Sequence, residues 1–174
     1  KDVIIRKSTD KGVTWTYPTN STDGILLTGQ YHSAPVPMVV YNGRIWRAFE
    51  TNVEGEDKTA FVMSAPENSD LMNAANWTVT NALSYQTSWI SGNGKSFKQW
   101  LEGNAVVDKN GNIVNVLRVD EETYGGVAAI ATVTGTTQLS FNPTTDIINF
   151  PGGGKKFTIR YDSVSDLYWT MSDA

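Results

Sequence analysis

The sequence has no cysteine and only one histidine, His32, in 174 residues. Disulfides and thiolate chemistry are thereby excluded, and a zinc centre loses its usual Cys and His ligands; only oxygen-ligated calcium stays open. No metal or other cofactor is expected. No stretch approaches the ~20 consecutive apolar residues of a membrane helix. The chain also lacks an extended basic run, and its net charge is −4. That argues against a nucleic-acid surface, where Lys and Arg would have to neutralise phosphates. Helical periodicity is scarce throughout.

What remains is a set of short β-branched and aromatic runs separated by Gly, Asn, Asp and Thr, with six Trp and 40% hydrophobic residues. This composition points to an all-β fold in one domain over residues 1–174, long enough to bury a core. Three strand–turn–strand units can be laid over one another: "PMVVYNGRIWRAFE", "NAVVDKNGNIVNVLRVD" and "KKFTIRYDSVSDLYWTMSD". Their turns fall at Asn42-Gly43, Lys109-Asn110-Gly111 and Ser163-Val164-Ser165. Between them lie "FVMSAPENSDLMNAANWTV" and "IATVTGTTQLSFN", further hairpins marked by Trp77 and Phe141. With Trp15 these markers recur at intervals of about 60 residues, longer than the usual short repeats and suited to four-stranded units with long connections.

The opening stretch "STDKGVTW" fits a hairpin turn at Asp10 to Gly12, between the strand-like runs "DVIIR" and "VTWTY". Its spacing, Ser8, Asp10, Gly12, Thr14 and Trp15, resembles the Asp-box of sialidases and related β-propellers. There the motif holds the outer hairpin of a blade, away from the catalytic centre. The resemblance implies a partial β-propeller of four-stranded antiparallel blades. About two full and two half blades would fall near 1–17, 33–80, 103–142 and 155–174. Rings close with ~4–8 blades, so the chain is expected to be a fragment whose edges meet the remaining blades of the same propeller. A compact β-sandwich of the same hairpins is the alternative.

Chemistry is then sought where segments lead into inner hairpins. "WLEGNAVVDKNGNIVNVLR" resembles the sialidase segment in which a catalytic Glu precedes a strand, a turn and a second strand ending in Arg. The resemblance implies that Glu102 polarises a tyrosine nucleophile and that Arg118 binds the substrate carboxylate. A phenol is a poor nucleophile until a carboxylate takes its proton, and a guanidinium donates two parallel hydrogen bonds to a carboxylate. Overlaying the preceding hairpin puts Ala34 at the place of Glu102 and Glu50 at that of Arg118. The stretch also resembles the sialidase Arg-Ile-Pro that precedes the first inner strand, since Pro37 leads "MVV", but Pro35 stands where the resemblance implies an Arg, leaving His32, Arg44, Arg47 and Glu50 as local candidates. Alternation sets Arg44, Trp46, Ala48 and Glu50 on one face, and Ile45, Arg47 and Phe49 on the other. His32 suits proton transfer near neutrality. Lys156, after "PGGGK", matches the position of Glu102 in the last hairpin. Trp89, Trp100 and Tyr124 fall in connecting segments and could wall a sugar subsite.

These features make a secreted or periplasmic bacterial sialidase-like exo-glycosidase the leading expectation, with a glycan or small sugar as its partner. The alternative is a non-catalytic propeller module that binds carbohydrate or protein.

Overall fold

The structure, a computed structural model, describes residues 1–89, 97–121 and 126–172. Among these the chain is all-β, with one short 3-10 turn at Ala74–Asn76. Strands β1 (Val3–Ile4) and β2 (Ile25–Leu27) form an antiparallel ribbon. In the second sheet, β3 (Tyr31–His32) and β4 (Val39–Tyr41) occupy successive stretches of one edge of β5 (Arg44–Thr51). β5 pairs with β6 (Thr59–Pro66), whose far edge is shared by β7 (Thr78–Val79) and β8 (Leu83–Ser84).

The third sheet repeats this layout. It runs from β9 (Trp100–Val107) through β10 (Ile113–Val119) to β11 (Val127–Thr134), whose far edge is shared by β12 (Gln138–Ser140) and β13 (Ile147–Asn149). β14 (Phe157–Asp162) and β15 (Leu167–Ser172) close the series as a second ribbon.

The three hairpins read from the sequence form on the residues named, because their turns are local chemistry. Asn42 and Gly43 both take positive φ, 50° and 70°, as the tight hairpin turn requires. At the next turn the Asp108 carboxylate accepts from the backbone N–H of Asn110 at 2.8 Å and of Asn112 at 2.7 Å. In the last, Asp162 accepts from the N–H of Val164 at 3.1 Å. Such side-chain caps bind the backbone groups that a turn leaves unpaired.

The opening stretch departs from expectation. Its turn is present: Asp10 accepts from the Thr14 hydroxyl at 2.6 Å and from the Thr14 N–H, and the Ser8 hydroxyl accepts from the Gly12 N–H. The Trp15 indole N–H donates to the Gly12 carbonyl at 3.0 Å. "VTWTY" forms no strand, however, and Val3–Ile4 pairs with Ile25–Leu27 instead. The side-chain network occupies residues 8–15, leaving Lys7 and Thr16 to make the backbone hydrogen bond that joins the two arms. Val3 and Leu26 gain more by packing on Phe61 and Met63.

The sheets stack face to face in chain order. Val3 and Leu26 of the first ribbon cover Phe61 and Met63. The opposite face of that sheet, with Trp46, Ala48 and Val62, meets Trp100, Ala105, Ile113 and Leu117 of the third. The far face of the third sheet, with Val106, Val114 and Val116, receives Phe157 of β14. On β15, Leu167, Trp169 and Met171 alternate along one exposed face.

Candidate functional site

One end of the stack collects charge, because several strands begin or finish there. His32 closes β3, Glu50 sits at the end of β5, Glu102 near the start of β9, Arg118 near the end of β10, and Lys156 just ahead of β14.

Glu102 is brought there by a break in the ladder. Leu117 pairs with Gly103, but Val119 pairs with Trp100, so β9 carries one residue more than β10 across this interval. Such a bulge re-aims side chains. Unbroken alternation would put Trp100 and Glu102 on one face. Instead Trp100 turns into the core between the second and third sheets, while Glu102 shares a face with Arg118.

Glu102 Oε2 accepts from the Arg118 guanidinium at 2.8 Å, and Lys156 Nζ stands 3.6 Å from Oε1. Arg118 also donates to the Gly154 carbonyl at 3.1 Å, which fixes the plane of its fork. Burial pushes the Glu102 carboxyl up, but its own backbone N–H, the Arg118 bond and charge, and Lys156 together hold it below the ordinary range. Glu102 is ionised at neutral pH.

The neighbouring sheet contributes a second pair. His32 and Glu50 face each other across β3 and β5, with His32 Nδ1 2.5 Å from Glu50 Oε1. Burial pushes the Glu50 carboxyl up to about 8, and the negative Glu102 adds to this. Lys58, Arg47 and the Gly103 N–H pull the other way. Burial also lowers His32, reinforced by Lys58 and Lys156 and opposed by Glu102. Two glutamates at one site thus sit on opposite sides of neutrality, the arrangement that separates a proton donor from a carboxylate acceptor.

Of the residues singled out in the sequence, Glu102, Arg118, His32, Glu50 and Lys156 come together. The hairpin overlay placed Ala34 at the position of Glu102, but the cross-strand partner of Glu50 is His32, two residues earlier. Arg47 leaves the cluster. It lies on the other face of β5, donates to the Ala34 carbonyl, and covers the Phe49 ring at 5.9 Å. There it lines an apolar cavity of about 490 Å³ with Trp15, Trp77 and Met38, and reaches Glu50 only through its charge.

Trp100 is not a sugar wall. It is fully buried, packed by the rings of Phe97, Phe141, Trp89 and Tyr85 at centroid distances of 4.9, 5.1, 5.6 and 6.5 Å. Trp89 belongs to the same cluster, and Tyr124 lies outside the described residues. Among the described residues no tyrosine hydroxyl bonds Glu102; those of Tyr85 and Tyr168, for example, donate to the carbonyls of Phe97 and Val107. Asp10 lies in its own turn network.

Sequence reasoning missed three contributors: Lys58, the Gly154 carbonyl and the Gly103 backbone. For the two glycines, the signals in the sequence are the glycine that follows Glu102 in "LEGN" and the glycine run "PGGGK" that contains Gly154. Gly103 leaves room for Asn115, which is wholly buried with neither amide atom hydrogen-bonded among the described residues. A Cβ on residue 103 would stand 2.1 Å from Asn115 Oδ1. Gly103→Ala is therefore expected to destabilise the fold by about 1–3 kcal/mol, read as a lowered urea midpoint. An unchanged midpoint would mean that Asn115 can turn aside.

No protein-family model matches the chain, and no curated protein matches it either.

Proposed function

We propose that the chain is part of a secreted or periplasmic sialidase-like glycoside hydrolase, a β-propeller that acts on a terminal sugar of a glycan. The reading rests chiefly on the convergence of an ionised Glu102, bound to Arg118, with a second, protonated glutamate where neighbouring sheets begin. The propeller reading is supported by two sheets of matching layout between two ribbons, stacked in chain order as blades are. Further blades of the same protein would complete the ring.

In this reading Glu102 accepts the O–H proton of the nucleophile as its oxygen bonds to the sugar carbon. That nucleophile is a water or a phenol from elsewhere in the protein. Arg118 and Lys156 supply positive charge for an anionic substituent on the sugar.

Hydrolysis of a panel of fluorogenic aryl glycosides, sialosides included, tests this. The protein is expected to release one sugar from the panel, and Glu102→Gln to lower kcat by about 10²–10⁴-fold. Equal activity in both would remove Glu102 from the chemistry.

A non-catalytic sugar-binding module is the second reading. It is favoured by the commitment of Arg118 to Glu102 and Gly154, and by the lack of a tyrosine hydroxyl bonded to Glu102 among the described residues. Glycan binding with a silent panel would select it.

A further inference from the structure

His32 and Glu50 are built differently from the Glu102–Arg118 pair. They are direct cross-strand partners, and their 2.5 Å contact joins a wholly buried carboxyl to an imidazole that is 44% exposed. Because Nδ1 is turned toward the buried carboxyl, Nε2 lies on the opposite edge of the ring, away from Glu50. We propose that His32 is the proton donor of this site, offering an Nε2–H to the leaving group, with Glu50 as the buried positioning residue that holds it. The proposal rests on the hydrolase reading and adds the acid that Glu102, as a carboxylate, cannot be.

Counting protons fixes the donor. At neutral pH the pair holds two, one between Nδ1 and Oε1 and one on Nε2. A neutral acid beside a neutral imidazole and a carboxylate beside an imidazolium have the same count, and Nε2 carries hydrogen in both.

Losing that hydrogen leaves a negative charge on the buried pair. Glu50 Oε2 has no hydrogen-bond partner among the described residues, and the ionised Glu102 acts on it from β9. Lys58 ahead of β6, Arg47 on β5 and the Gly103 N–H on β9 favour the charge, while Lys156 ahead of β14 acts on the imidazole. Burial and Glu102 outweigh them, so the Glu50 carboxyl is pushed up and the pair resists taking that charge at neutrality.

In the transfer, the bond between the sugar carbon and the leaving oxygen breaks, and its electron pair stays on that oxygen. The oxygen takes the Nε2 proton. The attacking water oxygen bonds to the sugar carbon in its place and gives its proton to Glu102; Glu50 is left as a carboxylate accepting Nδ1–H, and the proton held by Glu102 returns to the pair after turnover.

The test exploits the single histidine: labelling with ¹⁵N-histidine gives one imidazole to follow against pH. Nε2 is expected to keep its hydrogen past neutrality and to lose it only in the step in which Glu50, whose carboxyl is pushed up to about 8, ionises. In Glu50→Gln the step should fall to the ordinary histidine value, ~6.5, or below. A wild-type imidazole that titrates in one step at or below ~6.5, unchanged by Glu50→Gln, overturns the proposal. In hydrolysis, His32→Asn should lower kcat/KM by about 10²–10⁴-fold for glycosides with alcohol leaving groups. The loss should be far smaller for activated aryl leaving groups, which depart without a proton; an equal loss for both would also overturn the donor role. Hydrolysis that needs Glu102 in a protein without the coupled step overturns the dyad alone. A coupled step in a protein that hydrolyses nothing overturns the hydrolase reading, and the donor role with it.

Discussion

Replacing Trp100 by alanine is expected to cost the fold about 3–5 kcal/mol, the usual range for a large aromatic removed from a core. The indole is wholly buried where the second and third sheets meet, and four aromatic rings enclose it. Those rings are held by other contacts; Tyr85, for instance, donates its hydroxyl to the Phe97 carbonyl. They cannot simply collapse into the gap. The indole Nε1 has no acceptor among the described residues, so its removal leaves no polar group newly unpaired and the loss is one of packing. Urea unfolding should show a lower midpoint with an unchanged slope. Trp100→Phe, which keeps a ring in the site, should lose much less. A loss below ~1 kcal/mol for the alanine variant would show that the cluster is free to rearrange.

The second large effect lies in the response of stability to pH. Glu50 titrates at about 8 in the folded chain against an ordinary value of 4.5. Between those values the folded state binds more protons than the unfolded state, so stability is greatest at the acid end and falls as pH rises. Over the full interval, at ~1.36 kcal/mol per unit, the fall amounts to about 5 kcal/mol. His32 acts in the opposite sense at lower pH. Its folded value is depressed, so stability gained from it rises with pH up to ~6.5 and is then complete. From pH 6.5 to 8 the Glu50 contribution stands apart and amounts to about 2 kcal/mol. Urea midpoints of the wild type should fall across that window, and those of Glu50→Gln should stay nearly level. A wild-type midpoint that is flat or rising there would contradict a protonated Glu50.

The parts of the fold that the sequence revealed are those decided within a few residues. Asn42-Gly43 and the Asp108 loop carry their own turn geometry, and the alternation of Trp46, Ala48 and Glu50 against Arg47 and Phe49 follows from the pleat. The pairing of Val3–Ile4 with Ile25–Leu27 was not legible. It depends on what covers Phe61 and Met63, a choice made by distant chain. Trp100 misled for a similar reason. A bulge is a mismatch between two strands, and neither strand's residues record it alone. At the site, Glu102 and Arg118 were marked by the resemblance of their segment to a sialidase one, and Glu50 and Lys156 by equivalent places in repeated hairpins. The partnership of His32 with Glu50 could not be read in either way, since it is set by β3 pairing beside β4 along one edge of β5.

The stacking of the sheets has a consequence for how the site would respond to distant change. Glu50 belongs to one sheet and Glu102 to the next, and the layer of Trp46, Ala48, Ala105, Ile113 and Leu117 sets how far apart those sheets lie. The mutual repulsion of the two carboxyls is therefore governed by the girth of apolar side chains that carry no charge. Thinning that layer would leave both strands and both glutamates in place, yet it would retune the acidity of each. The titration curve of a single buried glutamate then serves as a caliper for the packing between two sheets.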